Sequence, residues 1–208
     1  QEPRLTVHYA NQMNLTGAKD AVKLYTEENA DFHQIVADMA NIPRKQAKTI
    51  NLGLSYGMGK EKLIKELGLD NIEAENLFQT YHAKVPFIRA LQDQCARVAM
   101  ERGYIKTFEG RHCRFNLWES RFERTLPLPL EEAREKYGDD LKRSYTYKAL
   151  NRLIQGSAAD MTKLAMIGLW EEGIVPHLQV HDEVDISIES TEQANTVIRI
   201  MENCVELA

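Results

Sequence analysis

The segment from Gln179 to Ile186 constrains the fold of this chain more than any other. Its sequence, QVHDEVDI, places apolar residues at alternate positions on both sides of a short polar tip. That period of two is typical of β-strands, and it predicts a β-hairpin with Asp182 and Glu183 at its turn. Adjacent carboxylates repel each other unless a cation lies nearby, and carboxylate oxygens are ligands that Mg²⁺ prefers. A solvated turn would explain the same residues, because acidic side chains are common in turns.

A second pattern lies within residues 43–59. Four residues recur there at every fourth position: Arg44, Lys48, Leu52 and Tyr56. Steps of four keep side chains on one face of a helix, and the flanking proline and glycines suit its start and its end. The predicted stripe offers two cations that can hold a polyphosphate and an aromatic ring that can meet a base or a sugar. A solvated amphipathic helix would explain the charges but not the glycine-flanked aromatic end.

These patterns resemble the family A DNA polymerases, the polymerase I-like enzymes of bacteria and phages. The stripe is similar to motif B of that family, His181-Asp182-Glu183 to its motif C, and Glu2-Pro3-Arg4 to the tail of its motif A. Residues 151–160 resemble the helix just before motif C. The motifs follow in the order of the family across nearly all 208 residues. Residues 116–140 match least and look like a phage-type insertion.

The resemblance implies a catalytic group at motif C. Asp182 would bind one of two Mg²⁺ ions, and its usual partner would be an Asp five positions before Glu2, outside this chain. Glu183 would be a neighbour of the metal ions, and His181 would lie near the primer end. A hydrogen bond that supports the turn is the alternative role for His181.

The resemblance also assigns the contacts to the nucleotide triphosphate. Arg44 and Lys48 would hold the triphosphate, and Lys48 could give a proton to the leaving pyrophosphate. His33 would touch the phosphates as well, although a purely structural role is the alternative for a single histidine in a helix.

Three further residues would surround the base and the sugar of the nucleotide. Tyr56 would stack at the position of the base pair. Glu2 would pack against Tyr56 and block a ribose 2′-hydroxyl, which favours deoxynucleotides. Leu52 would face the sugar, and here the chain departs from the family, which usually carries Phe or Tyr at this position.

The side chains expected to contact DNA lie mostly in the second half of the chain. Asn151 and Gln155 are four residues apart, and amides can recognise the minor-groove acceptors that all base pairs share. A merely polar helix face is the alternative. The basic candidates for phosphate contacts are Arg4, Arg111, Arg114, Lys148 and Arg152. Tyr147 stands where the family often has Arg, which weakens the template contact expected there.

The composition excludes some classes of protein. With 43% hydrophobic and 27% charged residues the chain fits a soluble globular protein. It has no apolar run for a membrane span and no signal peptide, so we expect no membrane partner and a cytoplasmic location, in the bacterial host if a phage encodes it. Three widely spaced cysteines predict no disulfide framework. The net charge of −5 argues against a nucleic-acid coating protein but not against a local basic cleft.

The predicted fold class is α+β, with a mostly helical fingers subdomain inserted into a palm that has a small antiparallel sheet. Residues 1–14 and 138–208 would form the palm, and residues 15–137 the fingers. Helices are predicted at 20–25, 31–40, 43–57, 60–67, 72–81, 86–102, 141–172 and from 191 onwards, with a break at Gly156 left open. Residues 104–111 suit a strand and turn, residues 115–140 an irregular insertion, and residues 5–9 either strand or helix.

We therefore predict the fingers-and-palm portion of a DNA-directed DNA polymerase that acts in phage or bacterial replication. It would add deoxynucleoside triphosphates to the 3′-hydroxyl of a primer on a template, with two Mg²⁺ ions. Both ends look cut, so we expect the fragment alone to be inactive. A non-catalytic nucleic-acid-binding remnant is one alternative. A metal-dependent hydrolase is another, but it leaves the basic stripe unexplained. The sequence identifies no helicase or processivity partner.

Overall fold

The computed structural model of this chain describes residues 1–27 and 31–207. The helices in these ranges are α1 (Glu2–Gln12), α2 (Ala18–Thr26), α3 (Phe32–Ala40), α4 (Arg44–Ser55), α5 (Lys60–Leu67), α6 (Asn71–Lys84), α7 (Pro86–Arg102), α8 (Leu130–Tyr137), α9 (Ala149–Glu171) and α10 (Thr191–Asn203). A short 3-10 turn, Thr146–Lys148, leads into α9. None of the helices in the described part of the chain combines the length and the apolar character needed to cross a bilayer.

Three small antiparallel sheets accompany the helices in the described ranges. The strands are β1 (Tyr104–Lys106), β2 (His112–Arg114), β3 (Leu117–Ser120), β4 (Leu128–Pro129), β5 (Leu141–Arg143), β6 (Leu178–Val180) and β7 (Glu183–Asp185). β1 pairs with β2, β3 lies between β4 and β5, and β6 pairs with β7. Mostly helical structure with small antiparallel sheets confirms the predicted fold class.

The long helix α9 lies at the centre of the packing. It contacts α1, α7, α10 and the β1–β2 hairpin. Ile154 is fully buried within it, and the Ser157 hydroxyl is hydrogen-bonded at 2.7 Å to the phenol of Tyr9 on α1. A β-carbon at Gly156 would lie 2.8 Å from the methyl group of Thr107, so only glycine lets the hairpin approach this closely. Apolar burial and one long-range polar contact therefore fix α1 against α9.

A second group of helices packs beside this centre. α3 contacts both α4 and α6, and its Phe32 ring stacks on Tyr25 of α2 with ring centroids 5.8 Å apart. Ile50 of α4 and Tyr81 of α6 are buried among them. This group carries the basic stripe, so the packing of α3, α4 and α6 decides where the stripe points.

Several boundaries follow the sequence pattern closely. α5 and α7 have the predicted bounds, and both end at a glycine in the left-handed conformation, Gly68 and Gly103. α10 begins at Thr191 as predicted, with the Ser190 hydroxyl accepting a hydrogen bond from the backbone at Gln193. Residues 5–9, for which strand and helix were both open, are helical, with Pro3 in the first turn of α1.

The prediction that residues 115–140 are irregular is wrong. β3, β4 and α8 lie in this segment, and β5 completes the sheet. Trp118 pairs with Leu128 on one side and Arg143 on the other, and the Arg143 guanidinium lies 4.3 Å from the Trp118 ring centroid. Pro129 is tolerated because it lies on an edge strand. The pairing is non-local, so local composition did not indicate it.

The prediction of one helix over 141–172 is also wrong at its start. Residues Leu141–Arg143 form β5 because they pair with β3, and Tyr145 adopts a left-handed conformation with φ of 60°. The helix begins only at Ala149. It then continues through Gly156 without the break that the sequence left open.

Candidate active site

The acidic hairpin forms as predicted, with Asp182 at its tip. Val180 pairs with Glu183, so His181 and Asp182 form a two-residue turn. His181 has a left-handed backbone with φ of 56°, as such tight turns require. The Gln179 amide donates a hydrogen bond to the His181 carbonyl, which braces the turn. Glu183 lies at the start of β7 rather than in the turn itself.

An open cavity of about 290 Å³ lies between this turn, the N-terminal ends of α1 and α3, and the middle of α4 and α9. Residues that are far apart in the sequence meet in its wall. Six of the predicted site residues line it: Glu2, His33, Lys48, Leu52, His181 and Asp182. Gln1, Pro3 and Ala158 complete the lining. The cavity therefore combines carboxylates from α1 and the hairpin with a cation from α4.

The basic stripe runs along α4. This helix ends at Ser55, two residues earlier than the predicted end at residue 57. Lys48 and Leu52 line the cavity. Arg44, in the first turn, lies outside the lining and donates a hydrogen bond from Nε to Oδ2 of Asp31 at 2.6 Å. Asp31 also caps α3 by accepting hydrogen bonds from the backbone N–H groups of His33 and Gln34. The Arg44 guanidinium holds the pKa of the Asp31 carboxyl below its usual value.

Tyr56 is the C-cap residue of α4. Its hydroxyl is buried and has no hydrogen-bond partner within the described residues. Burial raises the pKa of the Tyr56 phenol, and the neighbouring Glu2 carboxylate raises it further. The structure therefore places Glu2 beside Tyr56, as the resemblance implied.

His33 is held from behind by two residues that sequence reasoning missed. Its Nδ1 lies 3.1 Å from the side-chain nitrogen of Asn51, whose oxygen accepts a hydrogen bond from the Tyr81 hydroxyl at 2.8 Å. Burial is the main cause that lowers the pKa of His33. Asn51 precedes Leu52 and faces inward from α4. A polar residue on the buried face of the helix, next to the stripe, is the sequence feature that could have indicated this contact.

The amide pair on α9 faces the approach to the cavity. Gln155 is exposed and Asn151 is half-buried. Neither side-chain amide is hydrogen-bonded to another residue in the described ranges. Ala158, three residues beyond Gln155 on the same helix face, lines the cavity. Both amides are thus available to a ligand that extends out of the cavity.

Arg111 has a structural partner that the sequence did not reveal. Its guanidinium pairs with the buried Asp160 carboxylate and donates from Nη2 to the Gly156 carbonyl at 2.8 Å. Because this pair ties the β1–β2 hairpin to α9, much of the Arg111 donor capacity is occupied inside the protein. Arg4, by contrast, is exposed beside a smaller cavity of about 180 Å³.

Two other basic candidates also have partners within the protein. Arg152 donates a hydrogen bond from Nη1 to the carbonyl of Arg114 at 2.9 Å, and its guanidinium lies 4.6 Å from the centroid of the Phe115 ring. The Lys148 ammonium lies 4.7 Å from the centroid of the Tyr145 ring. Both cations stay near the surface at the start of α9, so contact with a phosphate backbone stays a prediction.

Asp182 is the cavity residue best suited to a hard cation. Carboxylate oxygens are preferred ligands of Mg²⁺, and the adjacent lining supplies a second carboxylate, Glu2, and the imidazole of His181. No group of three or more acidic, histidine or cysteine side chains in the described ranges has the geometry of a metal site. The described residues therefore do not by themselves supply a full set of metal ligands.

The comparisons with known proteins identify the family of this chain. The sequence model described as DNA polymerase family A matches residues 1–208. A DNA-directed DNA polymerase of Pseudomonas phage M6 is 35% identical over 249 residues, which cover 100% of this chain and 34% of that protein. The thermostable DNA polymerase I of Thermus aquaticus is 31% identical, over 93% of this chain and 23% of that protein. The chain belongs to DNA polymerase family A.

A solved structure shows the same fold. The POL domain of Pol1 from M. smegmatis, in complex with DNA primer-template and dNTP, superposes with a TM-score of 0.73 at 25% sequence identity. The match covers 99% of this chain and 35% of that one. This chain thus spans about a third, or less, of the length of the proteins it matches.

The ion pair between Asp31 and Arg44 generates a pH-dependent prediction. Asp31→Asn keeps a capping oxygen on α3 but removes the charge. The pKa of Asp31 is lower in the folded state than its ordinary value of 3.8. The charged carboxylate therefore stabilises the fold fully at pH values above 3.8. This contribution is lost as the pH falls through the lowered pKa. Because both side chains are about half exposed, we expect a loss of at most about 1 kcal/mol at neutral pH.

Urea unfolding of wild type and Asp31→Asn across a pH series measures the difference between their free energies of unfolding. It should shrink towards zero in strong acid. Asp31→Ala is the matched comparison, because it also removes the cap and should cost a further roughly 0.5–2 kcal/mol at every pH. A difference between wild type and Asp31→Asn that stays constant into strong acid would contradict the ion-pair assignment.

Proposed function

We propose that this chain forms the nucleotide-binding and catalytic core of a phage DNA polymerase that works in the cytoplasm of its bacterial host. The reaction is template-directed attack of a primer 3′-hydroxyl on a deoxynucleoside triphosphate. The observation that carries the proposal is the cavity, where Glu2, His33, Lys48 and Asp182 converge from four separate elements. The phage and bacterial relatives, which are named as DNA polymerases, support it.

The proposal divides the chain into two subdomains. Residues 15–137 form the fingers in this proposal, and they include α3 and α4 with the cationic side of the cavity. Residues 1–14 and 138–208 form the palm, and they include α1, α9 and the acidic hairpin. A cavity between a cationic and an acidic wall suits a substrate that carries negative charge and needs metal ions.

The cationic wall binds the triphosphate in this proposal. Lys48 is exposed in the cavity, where its ammonium can neutralise phosphate oxygens and give a proton to the leaving pyrophosphate. Arg44 is one turn away, and its pair with Asp31 is solvent-exposed and therefore weak. Exchanging that carboxylate for a triphosphate would cost Arg44 little.

We assign the sugar position to Leu52 in the cavity lining, and the base position to Tyr56, which lies one helical turn further along α4 and beside Glu2. Tyr56 provides the surface for the base pair, and Leu52 faces the sugar. Glu2 lies beside Tyr56 and occupies the space that a ribose 2′-hydroxyl would need. Selection of deoxynucleotides is therefore a steric effect at the end of α1.

Polymerases of this family generally use divalent metal ions. We assign Asp182 as a ligand of this chain for two Mg²⁺ ions, with Glu183 beside them. When bound, such ions activate the attacking hydroxyl and stabilise the charge that develops on the phosphoryl group. His181, adjacent to Asp182 on the turn, orients the primer end.

The DNA duplex leaves the cavity over α9. Asn151 and Gln155 present free amides there, and they contact minor-groove acceptors that every base pair offers. Arg4 and Lys148 are exposed, and we assign them contacts to the phosphate backbone. Because Arg111 and Arg152 are bound to protein atoms, we assign them weaker contacts to DNA than the sequence suggested.

The proposal is tested by Asp182→Asn in a longer polymerase chain that carries these residues. The variant should abolish primer extension yet bind primer-template nearly as well as wild type, because most binding energy comes from the DNA backbone. Asp185→Asn, three residues along the same hairpin and also exposed, is the matched control and should extend primers normally. Extension by Asp182→Asn at the rate of the control would refute the assignment.

Leu52 generates a prediction about the sugar. The resemblance implies that a tyrosine hydroxyl at this position replaces the missing 3′-hydroxyl of a dideoxynucleotide, and leucine has none. Leu52 also fills less of the sugar pocket than phenylalanine, so the nucleotide is held less firmly for reaction. We expect the enzyme to discriminate against dideoxynucleotides, Leu52→Tyr to relieve this, and Leu52→Phe to raise the incorporation rate.

Single-turnover incorporation of matched deoxy and dideoxy nucleotides by the three proteins measures these effects. Leu52→Phe serves as the aromatic control without a hydroxyl. Equal discrimination in all three would show that Leu52 does not face the sugar.

A further inference from the structure

We propose that Asn51 and Tyr81 hold His33 in one neutral tautomer, with its proton on Nε2 and with Nδ1 accepting a hydrogen bond. The two residues are positioning residues, since they act on the cavity only through His33. The effect of this tautomer on triphosphate binding rests on the proposed function. The tautomer itself does not, because it follows from contacts inside the protein.

The chain of contacts joins three helices. His33 on α3 lines the cavity, and its Nδ1 is 3.1 Å from Nδ2 of Asn51 on α4. Oδ1 of Asn51 is 2.8 Å from the hydroxyl of Tyr81 on α6. Tyr81 is fully buried and Asn51 is 2% exposed. Bulk water therefore cannot satisfy the amide, and its bonding must come from these neighbours.

The heavy-atom positions fit two arrangements of protons. In the first, the Tyr81 hydroxyl donates to the Asn51 oxygen, and the Asn51 NH₂ group donates to Nδ1 of His33. In the second, the amide is turned by half a rotation, and His33 donates from Nδ1 to the Asn51 oxygen. Each arrangement fixes a different tautomer, because an Nδ1 that accepts a hydrogen bond carries no proton.

The phenol of Tyr81 favours the first arrangement. The phenol oxygen shares its lone pairs with the ring, so it donates a hydrogen bond better than it accepts one, whereas an amide oxygen is a strong acceptor. Donation from Tyr81 turns the Asn51 oxygen towards α6 and leaves the NH₂ group facing His33. The proton of the neutral imidazole must then lie on Nε2.

The charges around His33 agree with a neutral ring. Burial lowers the pKa of His33, and Arg44 and Lys48 on α4 and the amino group of Gln1 lower it further, while the Asp31 carboxylate raises it. The cavity wall facing the ring also carries Glu2, His181 and Asp182.

A neutral Nε2–H is a suitable donor for a phosphate oxygen. With Nδ1 occupied by Asn51, Nε2 is the ring nitrogen left for a ligand in the cavity. In the opposite tautomer Nε2 would present a lone pair and would repel a phosphate oxygen. The network therefore decides whether His33 attracts or repels the triphosphate.

Long-range ¹H–¹⁵N NMR of the histidine rings tests this directly on the 208-residue chain. The chain has six histidines, and the spectrum of His33→Gln identifies the signals of His33. We expect a protonated-type Nε2 and an unprotonated-type Nδ1 at neutral pH. The reverse pattern, or an averaged pattern for both nitrogens, would overturn the proposal without any further variant.

Tyr81→Phe then tests the source of the effect. It removes the donor that orients Asn51, so the two nitrogens of His33 should move towards averaged signals. Tyr137→Phe is the matched control, because it also removes a phenol that donates a hydrogen bond, at 3.1 Å to the carbonyl of Leu126, but it lies on α8, outside the network. An unchanged His33 pattern in a folded Tyr81→Phe would exclude Tyr81 as the positioning residue. If Tyr81→Phe does not fold, Asn51→Ala removes the donor to Nδ1 directly, and an unchanged His33 pattern in that variant would overturn the proposal.

Kinetics in a longer polymerase separate this inference from the proposed function. Loss of one hydrogen bond to the triphosphate should raise the nucleotide KM of Tyr81→Phe by about two- to tenfold, with a smaller change in kcat. Tyr137→Phe should keep the wild-type KM. The expected NMR pattern with an unchanged KM would keep the tautomer but remove His33 from the triphosphate site.

Discussion

The packing of α9 against α1 is the constraint on which the candidate site depends. The bond between Tyr9 and Ser157 and the close contact at Gly156 fix α9 against α1 on one side and the β1–β2 hairpin on the other. α1 carries Glu2 at its start, and α9 carries Ala158 into the cavity wall. If these two helices shifted, the acidic turn and Glu2 would no longer face the same space. The chemistry of the cavity is therefore set by buried contacts that take no part in it.

The site combines exposed charged side chains with neutral polar side chains that are buried behind them. Lys48 and Asp182 are exposed, so the protein pays no desolvation cost to keep them charged before a ligand binds. Behind these exposed side chains, Asn51 and Tyr81 form a buried hydrogen-bond network that ends at the His33 ring. The overall net charge of −5 does not predict this arrangement, since only the local balance of cation and carboxylate matters for a phosphate ligand.

The sequence revealed the local features of this fold and much of the site. Period-two alternation predicted the hairpin, and the four-residue period predicted which residues of α4 share a face, because both depend on near neighbours. In the three-stranded sheet around Trp118, β3 pairs with β5 through residues more than twenty positions apart, so local composition suggested irregular structure. The pairs Arg111–Asp160 and Asn51–His33 are also long-range. A single sequence gives each residue type but not its partner across the fold.

The central claim is that Lys48 reaches a triphosphate bound in the cavity. The most direct measurement is single-turnover nucleotide incorporation by Lys48→Ala and Lys45→Ala in a longer chain that carries these residues. Both lysines are exposed on α4, but only Lys48 lines the cavity. A charge-assisted hydrogen bond is worth roughly 1.5–3 kcal/mol, so Lys48→Ala should lower the rate by about tenfold or more while Lys45→Ala stays near wild type. Equal rates in the two variants would contradict the account.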